Sequence, residues 1–142
     1  MLGDHFVQGR AKFNDHSPEL IEPTAKVYVN VRFADLRETY VAQLDTGAAW
    51  SVLASSLVKK LGLSYGGRSF KLSTRFGVHS GHLVRIPITF VAQEGIHLDT
   101  DGTFFVSNDW PLDLTFLGYS GLLDSIRFAL DPQANHFYFG SS

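Results

Sequence analysis

Tyr40-Val41-Ala42-Gln43-Leu44-Asp45-Thr46-Gly47-Ala48-Ala49-Trp50-Ser51-Val52-Leu53 is the stretch on which the reading of this chain turns. A largely apolar strand runs into an acid, a hydroxyl and a glycine, and then into small residues. That order suits a carboxylate at the end of a strand, held on a tight loop. The threonine hydroxyl can bond locally, and the glycine lets backbone or ligand come close. A given tripeptide arises by chance in roughly a few per cent of chains this long, so the triplet needs its context. Taken alone it also fits an Asx-turn that ends a strand, with the acid bonding its own backbone.

Working outward, Val27, Val29, Val31 and Phe33 alternate with Tyr28, Asn30 and Arg32, the pattern of a half-buried strand. A polar turn over residues 34–38 sends the chain back as the strand that feeds Asp45, so the two form a hairpin. Residues 54–62 predict a short helix, with Ser55 or Ser56 as its cap and Gly62 as its end. Residues 70–74 and 83–91 flank a glycine-punctuated hairpin tip over residues 75–81. Pro87 falls opposite the apolar face of the second strand, which predicts an edge or a kink. Residues 95–102, which include Asp99-Thr100-Asp101-Gly102, are expected to be a polar connection, and residues 121–126 a second short helix. Arg127–Leu130 and His136–Phe139 predict a C-terminal hairpin. Phe6–Phe13 is expected to be a peripheral strand. Many short strands with one or two brief helices describe an all-β, closed barrel of six or more strands.

Composition sets the bounds. The 142 residues fit one domain, which buries about two-thirds of its unfolded surface. With 44% hydrophobic and 18% charged residues the chain is globular, and a formal charge of −2 offers no footprint for nucleic acid. The absence of cysteine excludes disulfides, thiolate nucleophiles and thiolate metal sites. His79 and His82 are three apart on a strand and so lie on opposite faces, which argues against a shared metal. No signal peptide and no bilayer-spanning run is visible, and a soluble cytoplasmic protein is expected.

A second element matches downstream: Leu114-Thr115-Phe116-Leu117-Gly118-Tyr119-Ser120-Gly121-Leu122-Leu123-Asp124. An apolar pair, a glycine and then a short helical stretch follow the acid loop in order. With both segments in place, the chain resembles the retropepsin-like aspartic proteases, the single-lobed homodimeric relatives of pepsin, over roughly residues 25–140. The resemblance divides the chain into an arm or peripheral strand (1–24) and a protease domain (25–142). It implies an acid-protease barrel that dimerises to a pepsin-like two-lobed unit, needs neither cofactor nor metal, and cuts extended peptides with apolar residues near the scissile bond. One Asp per chain then suffices, because Asp45 of each copy meets its mate across a two-fold axis. By the same resemblance Thr46 locks the two loops together and Gly47 sets its carbonyl against substrate backbone. Ala48 and Ala49 line the cleft, Phe76, Gly77 and Val78 belong to a flap that closes on substrate, and Gly118 lets the chain pass beneath the acid loop.

Two departures from the viral members stand out. The Arg that follows their Gly is replaced within Gly118-Tyr119-Ser120-Gly121, and acids after their motif become Ala49 and Trp50. The resemblance is therefore closer to cellular members. The missing brace keeps a second reading open, a peptide-binding or assembly module that retains the barrel without turnover. A third is a scaffold with no peptide cleft.

Overall fold

A computed structural model of the protein describes residues 8–14, 26–74 and 77–142. Its strands are β1 (Gly9–Lys12), β2 (Val27–Phe33), β3 (Tyr40–Leu44), β4 (Ser51–Val52), β5 (Phe70–Thr74), β6 (Gly77–Phe90), β7 (Glu94–Gly95), β8 (Leu98–Val106), β9 (Thr115–Leu117), β10 (Ile126–Asp131) and β11 (His136–Ser141). One α-helix, α1 (Ser55–Leu61), and one 3-10 turn (Leu123–Ser125) accompany them.

The all-β expectation holds, and the barrel closes. β2, β3, β9, β4, β8 and β6 follow one another by hydrogen bonding, and β6 returns to β2 with Phe33 opposite Ile88. Closure leaves these six strands no free edge within the ring. Period-two burial in β2 turns Val29, Val31 and Phe33 inward, where they meet Ile86, Ile88 and Phe90 of β6. β6 is longer than the barrel needs. Its first residues leave the ring and pair with β5, so a hairpin projects beyond the barrel wall.

A second sheet, in the order β10-β11-β1-β7, packs Phe137 and Phe139 onto Phe90 with both ring centroids 5.9 Å away. Far from peripheral, β1 lies between β11 and β7, with Ala11 buried; Phe6 and Val7 fall outside the described residues. Among the described residues no helix is long and apolar enough to cross a membrane.

Several local expectations are corrected. Asp99–Gly102 is part of β8, not a turn. Leu98 and Gly102 face inward while Asp99 and Asp101 point to solvent, and Thr89 on β6 donates to Asp99 Oδ1 at 2.6 Å. Pro87 does not make an edge, because β6 is paired on both sides and the missing N–H falls where β2 ends; its carbonyl still accepts from Ala34 N–H at 2.9 Å. The predicted tip over residues 75–81 shrinks, since Gly77–Gly81 is already paired to β5. The second helix is only the 3-10 turn. In α1, Gly62 ends the helix as expected, at φ 59°, but neither serine caps its start. Ser55 Oγ instead donates to the Trp110 carbonyl at 3.1 Å and Ser56 Oγ to Asp113 at 2.6 Å, tying α1 to the segment before β9.

Candidate active site

The position of Asp45 follows from how β9 enters the barrel. β9 runs parallel to β3, with Gln43 opposite Phe116 and Leu44 opposite Leu117, and antiparallel to β4, with Val52 opposite Phe116. Because β9 fills the gap between β3 and β4, the loop joining those strands must straddle its end. Asp45 N–H continues the ladder by donating to the Leu117 carbonyl at 2.9 Å. Beyond β9, Tyr119 N–H donates to the Ala48 carbonyl and Ser120 N–H to the Ala49 carbonyl, each at 2.8 Å. Gly118 N–H donates to the fully buried Ser51 Oγ at 2.8 Å. Gly118 is needed at this crossing because a Cβ built on it would lie 2.5 Å from the Trp50 carbonyl oxygen and 2.7 Å from Ser51 N.

Within the loop, Gly47 N–H donates to Asp45 Oδ1 at 3.1 Å and Ala48 N–H to the Asp45 carbonyl at 3.1 Å. The first is the bond expected of an Asx-turn, and it holds the carboxylate in one orientation. An Asx-turn and a working acid are thus compatible here. Asp45 is half-buried and Thr46 is exposed, and among the described residues the Thr46 hydroxyl has no hydrogen-bond partner.

Asp45, Gly47, Ala48 and Ala49 line a cleft of about 660 Å³. Across from them the cleft is bounded by Leu72, Ser73 and Thr74 of β5, so the acid loop and the projecting hairpin share one cavity. An edge-on contact of Trp50 with Phe70, centroids 5.9 Å apart, anchors the base of that hairpin on the loop. The remaining wall is apolar and belongs to a small cluster outside the main core: Val52, Trp110 and Phe116, packed with Phe105. Lys26, Gln43 and Trp50 complete the lining.

Among the residues expected to bind substrate, Gly77 and Val78 do not border this cleft. Val78 is 64% exposed on the hairpin, and Phe76 lies outside the described residues. Gly118 is buried behind the acid loop and does not line the cleft. Thr46 does not line it either. The cleft residues missed from sequence are Lys26, Gln43, Trp50, Val52, Leu72, Ser73, Thr74, Trp110 and Phe116. For Gln43 a signal existed: it stands two residues before Asp45 on a strand and so shares its side.

Behind the wall, the ring of buried His79 meets Trp110 edge-on at 5.4 Å, and its Nδ1 lies 3.6 Å from Asp109 Oδ1. His82, on the opposite face of β6, packs on Tyr65 instead. The Ser107 hydroxyl donates to Asp109, and that bond, with a smaller attraction to His79, holds the Asp109 carboxyl below the usual carboxylate range against a modest opposing effect of desolvation.

No protein-family model matches this chain, and no curated protein matches it in sequence. Its fold does have a counterpart. A crystal structure of a retropepsin-like aspartic protease from Rickettsia conorii aligns with a TM-score of 0.57 at 18% identity, covering 92% of this chain and 98% of that one. The likeness is one of fold.

Proposed function

We propose that this protein is an aspartic endopeptidase, active as a symmetric homodimer in which Asp45 of each copy contributes to one catalytic dyad. The observation that carries the reading is a carboxylate pinned at a strand end by β9, at the rim of a cleft bounded by a hairpin, in a fold shared with a retropepsin-like protease.

A single carboxylate cannot be base and acid in the same step. Two of them about 3 Å apart cannot both ionise, so the pair shares one proton and holds both roles at once. The ionised member takes a proton from water, whose oxygen attacks the peptide carbonyl carbon. The protonated member gives its proton to the carbonyl oxygen. A proton then passes to the departing nitrogen as the C–N bond breaks, and the dyad ends with one proton again. Titration belongs to the pair, not to either Asp45. An isologous interface supplies the second acid from the same residue.

In this reading Thr46 reaches across the axis to the partner loop, Gly47 offers its carbonyl to substrate backbone, and Ala48 and Ala49 leave room for the peptide. Gly77 and Val78 belong to the flap end of the β5–β6 hairpin, which closes over an extended peptide and excludes water, and the resemblance assigns Phe76, outside the described residues, to the same role. Gly118 serves by permitting the crossing beneath the loop. The peptide binds by strand addition, with apolar side chains beside the cut. The Gly118-Tyr119-Ser120-Gly121 segment supports the cellular rather than the viral type.

The test compares wild type with Asp45→Asn on a mixed peptide library, from mildly acidic to neutral pH, with and without a transition-state-mimicking aspartic-protease inhibitor. We expect Asp45-dependent, inhibitor-sensitive cleavage by a species that sediments as a dimer. Cleavage that persists in Asp45→Asn refutes the dyad. Peptide binding without cleavage in wild type assigns the barrel to a binding module instead.

A further inference from the structure

Gln43 breaks the chemistry of the surface it belongs to. It borders the cleft beside Asp45, yet it is only 6% exposed, and its Oε1 is buried with no hydrogen-bond partner among the described residues. The neighbouring wall, Val52, Leu72, Trp110 and Phe116, is apolar. A leucine or methionine at position 43 would extend that wall and leave no polar atom dry. Oε1 has no solvent contact as the amide stands, so a ligand in the cleft meets it only when the carboxamide turns over about its last torsion; it is then a bond held in reserve, made when something with a donor enters.

We propose that Gln43 is a specificity-determining residue that reads the hydroxyl of a tyrosine side chain next to the scissile bond. The inference rests on the peptidase reading of this cleft and narrows its substrate class. Three features of the wall select tyrosine. Trp110 and Phe116 stand edge-to-face, centroids 6.0 Å apart, and both border the cleft, so an incoming ring meets aromatic edges there. The polar group beside that surface, opposite Phe116 in register, is neutral, which suits a phenol. A phenol both donates and accepts, so it pairs with the carboxamide whichever way the amide is turned, whereas an indole N–H can only donate. Gln43 stands two residues before Asp45 in the strand alternation, so the residue it reads is one that flanks the bond being cut.

Phenylalanine in the same place would leave the orphan oxygen without a partner. Sites that hydrogen-bond a substrate hydroxyl discriminate strongly against the analogue that lacks it.

The experiment uses matched peptides that differ only in Tyr or Phe on either side of the cut, with wild type and with Gln43→Met and Gln43→Leu. Two replacements guard against a folding defect in one. The kcat/KM ratio of Tyr to Phe is expected to be about 10- to 100-fold in wild type and to fall towards one in both variants. In parallel, calorimetry measures binding of the same peptides to Asp45→Asn with and without the Gln43 replacement. Asp45-dependent cleavage without a Tyr preference, or with one that survives both Gln43 replacements, overturns this inference and leaves the peptidase standing. Binding with a Gln43-dependent Tyr preference but no cleavage by wild type upholds Gln43 and ends the catalytic reading. Failure to bind or cleave either peptide overturns both.

Discussion

Gly118 and Trp50 pass so closely that a Cβ on the glycine would lie 2.5 Å from the Trp50 carbonyl oxygen. The atoms on the far side are backbone, not the movable end of a side chain, and the same backbone leads directly from the acid loop into β4. Gly118→Ala is therefore expected to cost at least about 2 kcal/mol, since overpacking must be relieved by shifting the chain itself. On the peptidase reading, displacing that loop by an ångström also costs roughly 100-fold in turnover. Denaturant titration together with peptide hydrolysis checks both, and an alanine variant of wild-type stability would show that the crossing has slack.

The same crossing carries a buried hydrogen bond from Gly118 N–H to Ser51 Oγ. Ser51→Ala removes the acceptor and strands a buried donor, a loss of about 1–3 kcal/mol. Thermal or urea unfolding measures it.

Thr46 contributes nothing visible within its own chain, because its hydroxyl is exposed and without a partner among the described residues. If it bonds across a two-fold axis, each copy adds about 1 kcal/mol, so Thr46→Ala raises the dimer dissociation constant about 10- to 30-fold. Sedimentation across a concentration series reads this directly. An unchanged constant removes Thr46 from the interface.

Asp109 provides a pH test. Its folded carboxyl titrates below the ordinary 3.8, through the Ser107 hydrogen bond and then His79. A depressed acid adds stability that is present above its unfolded value and is lost as pH falls through its folded one. Melting curves of wild type and Asp109→Asn should differ modestly at pH 5 to 7, with wild type higher, and converge below pH 3.8. A gap that widens on acidification would reverse the assigned sign.

Much of this fold is legible in the sequence. β2 shows the two-residue alternation, β3 and the C-terminal hairpin fall where expected, and Gly62 ends α1 as its placement suggests. The misreading of Asp99–Gly102 has a physical cause. Its acids lie on the solvent side of β8 and its inward positions are Thr100 and the small Gly102, so the alternation is present but has little hydrophobic contrast. The cap signal at Ser55 and Ser56 is local, while the partners that claim them, Trp110 and Asp113, are distant in sequence. Gln43 was passed over as one polar residue in an apolar strand, since nothing nearby in the chain announces that it is buried and lacks a partner.

The amino-acid order by itself determined an acid-Thr-Gly turn at the end of a strand, a single such turn per chain, and an all-β domain of short strands. These are properties of neighbours, set by backbone preference and side-chain alternation over a few residues. Only the tertiary structure decided that β9 lies between β3 and β4, that Gly118 passes against Trp50, and that Gln43, Trp110 and Phe116 face one cleft. Those relations join segments far apart along the chain, and barrel closure with the packing of bulky side chains, not local propensity, selects among the pairings that the same strands would allow.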